Sequence, residues 1–351
     1  MALSEKDSVV THMKIAALKM AALATGVVTG LMMMSAGAHA QGASPAIVFD
    51  MGGKFDKSFN EAAYNGAERF KKETGGSYRE FEVTNESQRE QALSNLARRG
   101  VSVIVSVGSA QQSALEKVAP QFPNVKFIII DSVVDAPNVQ SIVFKEQEGS
   151  FLVGALAALA SKTGKLGFIG GMDIPPINAF GCGYAQGARH INPKAEYIVD
   201  MAGTTPMAWR DPAKGSELAL SQFDRGVDVI FAAAGGTGVG VMQAAKDKGK
   251  LAIGVDSNQN HVQPGTVLTS MLKRVDNAVH NAFMDAKNGN WKPGIVSLGL
   301  KEGGVDWALD ENNRKLVTAD MEKKITDIRA EIIDGKITVV DYRAGDSCPV
   351  K

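Results

Sequence analysis

Cysteine is almost missing from this chain of 351 residues, which has two, Cys182 and Cys348. In an exported protein that even count permits one disulfide, and two unpaired thiols are the alternative. Histidine is nearly as scarce. Of five, the three beyond residue 40 are His190, His261 and His280, and no two of them stand at the spacing of metal ligands. No nucleophile elbow or Cys–His neighbourhood stands out. A glycine-rich run, Gly235-Gly-Thr-Gly-Val-Gly240, invites a dinucleotide reading and fails it, because the third glycine of the fingerprint would fall at Val241. No Lys-Ser or Lys-Thr pair follows, so the run is not a phosphate loop either. It is better taken as a tight turn whose helix-start amides face a cleft and can hold a ligand oxygen. No metal, cofactor or catalytic residue is expected, and the chain is not expected to be an enzyme.

A surplus of either charge is also lacking. Lys and Arg number 38, and Asp and Glu number 38. The first forty residues hold three of the former and two of the latter, so residues 41–351 carry a net charge of −1. That balance excludes a broad basic surface for nucleic acid or anionic membrane. With 22% charged and 44% hydrophobic residues, neither disorder nor a fibre is suggested, and the length suffices for two domains with proper cores.

A long apolar run lies near the start. Lys14 and Lys19 precede nineteen apolar or small residues, Met20 to Ala38, and Ala38-His39-Ala40 follows the small-x-small pattern of signal-peptidase sites. Residues 1–40 are expected to be a secretory signal cleaved after Ala40, which places the remainder in the periplasm. Glu5 and Asp7 oppose the leader's charge, so Met13 is an alternative start. A membrane anchor is the competing reading of the run. No cysteine near the cleavage site offers itself for lipid attachment.

Beyond the leader, short β-rich runs alternate with amphipathic helical stretches. Strands are expected at 46–50, 78–83, 101–107 and 126–131, with helices at 60–74, 88–99 and 111–119 between them. After an apolar stretch at 151–160 the pattern restarts, with strands at 165–171, 196–201, 227–233 and 251–256 and helices at 179–190, 212–225 and 238–248. The tail is expected to hold strands at 266–271 and 295–300 and helices at 275–287 and 321–334. Two runs of β-α units predict an α/β fold of two doubly wound parallel-sheet lobes with a cleft between them. In such sheets ligands bind beyond the carboxyl ends of the strands. Asp50, Ser106, Asp131, Gly170, Ala234 and Asp256 all fall at such ends.

Two loops are rich in recognition chemistry. Asp50-Met-Gly-Gly-Lys-Phe-Asp-Lys-Ser-Phe-Asn60 joins the first strand to the first helix and carries two phenylalanines among carboxylates, a hydroxyl and an amide. Ser58 or Asn60 could cap the helix, whereas one of the rings suits stacking on a planar ligand. The second loop, 205–214, contains Trp209 just before a helix. That side chain either faces the cleft or is buried against its own lobe.

Phe55-Asp-Lys-Ser-Phe-Asn60 resembles the opening loop of the basic membrane protein family of solute-binding proteins, which serve ABC-type nucleoside importers. Further stretches resemble the same family in order along the chain. They include Phe144-Lys-Glu-Gln-Glu-Gly-Ser-Phe151, Gly167-Phe-Ile-Gly-Gly-Met-Asp-Ile-Pro175, Ala234-Gly-Gly-Thr-Gly-Val-Gly240, Gly254-Val-Asp-Ser-Asn-Gln259 and Leu268-Thr-Ser-Met-Leu-Lys-Arg-Val-Asp276. The resemblance implies the type I periplasmic binding architecture, with three strands crossing between the lobes. It puts residues 44–148 and 272–297 in one lobe, and 149–271 and 298–351 in the other. It further implies a purine nucleoside as ligand, an ABC permease in the inner membrane as partner and a monomer. By resemblance the base would lie between Phe59 and Trp209, the latter standing where family members more often have Phe. Asp50 and Asn60, with Ser58 beside them in the loop, would read the base edge. Gly236, Asp256 and Lys273 would hold the ribose, and Ser106 ends a neighbouring strand. Asp256 and Lys273 would balance one another, which suits a neutral ligand, and no Arg cluster awaits a phosphate. A sugar, a free base or a signalling furanose in the same kind of cleft is an alternative, and a nucleoside hydrolase-like enzyme is a second. A Cys182–Cys348 bridge would pin the tail to the second lobe and is expected to leave the cleft alone.

Overall fold

The computed structural model describes residues 44–345 and 347–350, and the expected signal segment lies outside them. The first β-α series comprises β1 (Ala46–Phe49), α1 (Phe59–Thr74), β2 (Arg79–Glu82), α2 (Gln88–Arg98), β3 (Val103–Ser106), α3 (Gln112–Val118), β4 (Lys126–Ile130) and β5 (Val139–Phe144). The second comprises α4 (Glu146–Ala160), β6 (Lys165–Met172), α5 (Pro175–Ile191), β7 (Glu196–Gly203), α6 (Pro212–Asp224), β8 (Val229–Ala233), α7 (Gly238–Lys248), β9 (Leu251–Asp256) and β10 (Val267–Lys273). The chain then adds α8 (Val275–Asn288), β11 (Gly294–Leu298), β12 (Val305–Trp307) and α9 (Ala319–Ile333).

Two six-stranded sheets result, in the orders β11-β5-β4-β3-β1-β2 and β12-β10-β9-β8-β6-β7. Every pairing is parallel except that of β10 with β12. The central strands explain themselves by composition. Ala46-Ile-Val-Phe49 and Val229-Ile-Phe-Ala-Ala233 are buried at every position, as strands covered by helices on both faces must be. Arg79-Glu-Phe-Glu82 is largely exposed, and its charges suit a sheet edge.

The topology fixes where a ligand can sit. From β1 the chain goes out to one side at β2 and returns to the other at β3, and β6, β7 and β8 repeat the move. Each reversal leaves a crevice at the strand carboxyl ends. The chain passes between the sheets after β5, after β10 and after β11. Helix α4 packs closely on α5, and a Cβ at Gly154 or Gly187 would strike the facing helix backbone at Tyr184 or Phe151.

The architecture of two parallel-sheet α/β lobes is the one the sequence predicts, with differences in individual elements. Helix α5 starts at Pro175 rather than 179, with proline in its first turn, where no backbone N–H is needed. Strands β5 and β12 are additional to the expected elements. The tail differs most in consequence. Gln186 of α5 exchanges two hydrogen bonds of 2.9 Å with the backbone of Val340, and Cys348 is bridged to Cys182 with 5.6 Å between their Cα atoms. Arg343 donates to the Phe144 carbonyl at 2.9 Å. The tail therefore lies against the β5–α4 crossing, behind the cleft, and is not remote from it.

Candidate ligand-binding site

A cavity of about 470 Å³ opens at the carboxyl ends of both sheets. Its wall includes Asp50 after β1, Gly108 after β3, Asp131 after β4, Ile174 after β6, Gly235 after β8, Asp256 at the end of β9 and Lys273 at the end of β10. Both topological switch points thus contribute. Among the described residues three non-glycine residues have positive φ, Lys57 at 63°, Asp131 at 70° and Asp256 at 63°; the last two line the cavity and Lys57 lies in the opening loop, bonded to Gln259. Such conformations cost energy and collect where function requires them.

Asp56 organises the opening loop. Its buried carboxylate accepts the backbone N–H groups of Ser58, Asn60 and Glu61 at 2.8, 3.0 and 3.1 Å, so it satisfies the open N-terminus of α1. Burial pushes this carboxyl up to about 6, against the pull of those three donors. The turn presents Phe59 and Asn60 to the cavity. Asn60 faces it with an amide already engaged: Oδ1 accepts from Asp50 N at 3.2 Å and Nδ2 donates to Asp50 O at 3.3 Å. The Asp50 carboxylate pairs with Arg89 of α2 at 3.1 Å. Gly108, at φ 100°, makes room for that carboxylate, since a Cβ there would lie 2.9 Å from it.

The second lobe supplies Trp209, which the sequence leaves between cleft and core. It does both: half-buried, it lines the cavity and packs on Gly171, where a Cβ would collide with the indole. Asp256 is buried and accepts from Ser58 Oγ at 2.5 Å. Two more bonds join the same loop to this strand end, Ser257 Oγ to Ser58 O at 2.9 Å and Gln259 Nε2 to Lys57 O at 3.0 Å. Burial pushes the Asp256 carboxyl up to about 7, opposed by Lys273 and by the Ser58 hydroxyl.

Lys273 does not pair with Asp256. Its buried ammonium contacts Asp131 at 2.6 Å and Glu146 at 3.0 Å, among the rings of Phe59, Phe144 and Phe180 at 5.3, 5.0 and 5.5 Å. Burial works against its charge, but Asp131, Glu146 and Asp256 together raise it above the usual lysine range. The cluster holds three carboxylates, Asp131, Glu146 and Asp256, against Lys273 and Arg343. Arg343 is shared with Asp341 at 2.9 Å, so negative charge predominates, and Asp56 and Asp131 add to burial in raising the Asp256 carboxyl.

Of the nine ligand candidates, Asp50, Phe59, Asn60, Trp209, Asp256 and Lys273 line the same cavity. Ser58, Ser106 and Gly236 are not part of it. Ser58 is turned to Asp256 as a support. Ser106 is fully buried at the end of β3, and its hydroxyl has no hydrogen-bond partner. A Cβ on Gly236 would meet the carbonyl oxygens of Trp209 and Asp56 at 3.3 and 3.6 Å, and it is Gly235 that lines the wall. Arg89, Glu86 and Phe180 also line the cavity, and sequence reasoning misses all three. Glu146 lies beneath it, inside a stretch that stands out by family resemblance alone. Among the described residues no group of three or more His, Cys, Asp and Glu is placed to hold a metal ion, and no helix is long and apolar enough to cross a membrane.

The family model described as ABC transporter substrate-binding protein, PnrA-like, matches residues 43–342. The chain belongs to this family. It is thus a solute-binding protein of the ABC-transporter class, with a small-molecule ligand and a transporter as partners. The chain is 35% identical to a CD4+ T-cell-stimulating antigen of Listeria monocytogenes, over 84% of this chain and 87% of that protein. It is 33% identical to the ABC transporter nucleoside-binding protein BmpA of Lactococcus lactis, over 84% and 88%. A solved ABC-transporter solute-binding protein from Aeropyrum pernix superposes with a TM-score of 0.79 at 32% identity, covering 87% of this chain and 95% of that one.

Proposed function

We propose that this solute-binding protein captures purine nucleosides in the periplasm and hands them to an ABC permease in the inner membrane. The observation that carries the reading is that Phe59 from one lobe and Trp209 from the other line the same cavity, which Asp256 and Lys273 also line. Two aromatic side chains suit a flat base, each stacking contact contributing roughly 1–3 kcal/mol. Ser58 occupies Asp256 Oδ2, and the other carboxylate oxygen is left to accept from a ribose hydroxyl. The Asp50–Arg89 pair gives a base edge both an acceptor and donors. The wall's single Arg and single Lys are each paired with a carboxylate, so a phosphate would meet no free cation. A cavity of about 470 Å³ is in proportion to such a ligand. The likeness to a relative named as nucleoside-binding supports the same choice.

In this reading the leader is cleaved after Ala40, the mature protein works as a monomer, and binding involves no chemistry on the ligand. Contacts from both lobes would favour a closed state through population shift. The bonds between 57–58 and 255–259 are the protein's own part of that closure. Mass spectrometry of small molecules released from freshly purified, denatured protein tests the assignment. A purine nucleoside is expected; a sugar or a free base instead would replace it, and free base accumulating from added inosine would indicate an enzyme.

A further inference from the structure

The buried carboxylate of Glu146 stands at the start of α4, directly behind the ligand-facing lysine. Its side chain is 1% exposed, and neither oxygen makes a hydrogen bond. Its compensation is ionic: Lys273 at 3.0 Å on one oxygen and Arg343 at 3.0 Å on the other. Asp131, after β4, competes for the same lysine at 2.6 Å. Arg343 comes from the tail, far along the chain, and is held there by Asp341 at 2.9 Å and by the Phe144 carbonyl at 2.9 Å. The tail is fixed on either side of it by the Gln186–Val340 bonds and by the Cys182–Cys348 bridge. At the same helix start, Lys145 and Glu148 pair with each other at 3.4 Å and leave Glu146 to these partners.

We propose that Arg343 is a positioning residue for the binding site: by neutralising Glu146 from behind, it leaves Lys273 aligned on Asp131 and facing the ligand. The proposal rests on the reading that the cavity is the nucleoside site. Without the guanidinium, a buried carboxylate would have Lys273 as its one remaining cation. Breaking a buried ion pair by removing one partner leaves an uncompensated charge that the structure must relieve. Two reliefs are open. Either Lys273 is drawn back from Asp131 toward Glu146, or Glu146 takes up a proton. The first moves the ammonium that meets the ligand, although Arg343 is no part of the cavity wall; the second leaves Lys273 on Asp131, and titration at raised pH, where Glu146 is ionised, isolates the first.

The test compares the oxidised full chain with R343Q, R343K, E146Q and E146Q/R343Q, using inosine and guanosine as probes in titration calorimetry. R343Q should weaken binding by about tenfold, the scale of one charge-assisted contact. R343K should recover most of it. E146Q/R343Q should bind more tightly than R343Q, since a neutral amide in place of the carboxylate would need no second cation. A structural lesion would not show that recovery. Unfolding stability without ligand gives an independent readout. Burial already raises the Glu146 carboxyl against Lys273 and Arg343, and removing Arg343 raises it further. A raised carboxyl favours the fold below its unfolded value and loses that contribution as pH rises. The stability deficit of R343Q should therefore grow from pH 5 to pH 8, and vanish in the E146Q background. Wild-type affinity in R343Q, or a double variant no better than R343Q, would overturn the proposal. A wild type that binds no nucleoside, with the pH-dependent deficit intact, would overturn the nucleoside reading instead.

Discussion

Asp256 offers a test in which stability and binding should move in opposite directions. Its carboxyl is raised from 3.8 to about 7, chiefly by burial. A shift of about three units corresponds to about 4 kcal/mol. The folded-state value exceeds the unfolded one, so the group's contribution is fully present below about pH 4 and is lost as pH rises through about 7. Asp56, raised to about 6 by burial, acts with the same sign over a lower window. Asp256→Asn removes the Asp256 share alone. Asn tolerates the residue's φ of 63°, and its side-chain oxygen can still accept from Ser58. At pH 8 the unliganded variant should be more stable than wild type by as much as about 4 kcal/mol, and near pH 4 the two should converge. Nucleoside binding should fall instead, by about 1–2 kcal/mol, because a neutral acceptor replaces a charged one. Wild-type affinity should decline as pH drops below about 7, and that decline should be flatter in the variant. Urea unfolding at pH 4.5, 6 and 8, paired with calorimetric titration, measures both. A variant less stable than wild type at pH 8, or one with unaltered affinity, would refute the reasoning.

Phe59→Ala and Trp209→Ala should each cost roughly 1–3 kcal/mol of nucleoside affinity, and Trp209 fluorescence should change on binding in a Trp291→Phe, Trp307→Phe background; no affinity loss in either variant would remove the stacking slot. Gly108→Ala should weaken binding by displacing the Asp50 carboxylate and by straining a backbone at φ 100°, with Asp50→Asn less sensitive to the same change. Cys348→Ser should lower unfolding stability by up to about 5 kcal/mol for the long enclosed loop, and should lower nucleoside affinity as well because Arg343 loses its anchor. Unchanged affinity there would mean that Gln186 and Asp341 hold the tail unaided.

Much of the fold is legible because its signals are local. Ala46–Phe49 and Val229–Ala233 are short apolar runs bounded by polar turns, and the alternation with helices forces parallel sheets. The strand-end rule places Asp50, Asp131 and Asp256 at the crevice from sequence alone. Val139–Phe144 is harder to see, because its buried and half-buried residues alternate irregularly and it follows β4 without a helix between. Arg89 is one of several charged residues on a short helix, and nothing in its neighbourhood distinguishes it from Arg98, which is exposed. The Lys273–Glu146–Arg343 chain draws on three segments that meet only through the crossing of strands between lobes. No periodicity encodes that meeting. The direct partners of Lys273 are hidden for the same reason, since the sequence could not show that Asp131 and Glu146 stand closer to the ammonium than Asp256.

The central claim is a cleft built for a purine nucleoside. Titration calorimetry of the oxidised protein at pH 8, first stripped of bound ligand by unfolding and refolding, tests it most directly, with adenosine, guanosine and inosine set beside their monophosphates and free ribose. The account predicts one-to-one binding of at least one of these nucleosides, much weaker binding of its monophosphate, and no comparable binding of ribose. No heat with any of the three nucleosides, together with clear saturable binding of a sugar, would contradict it.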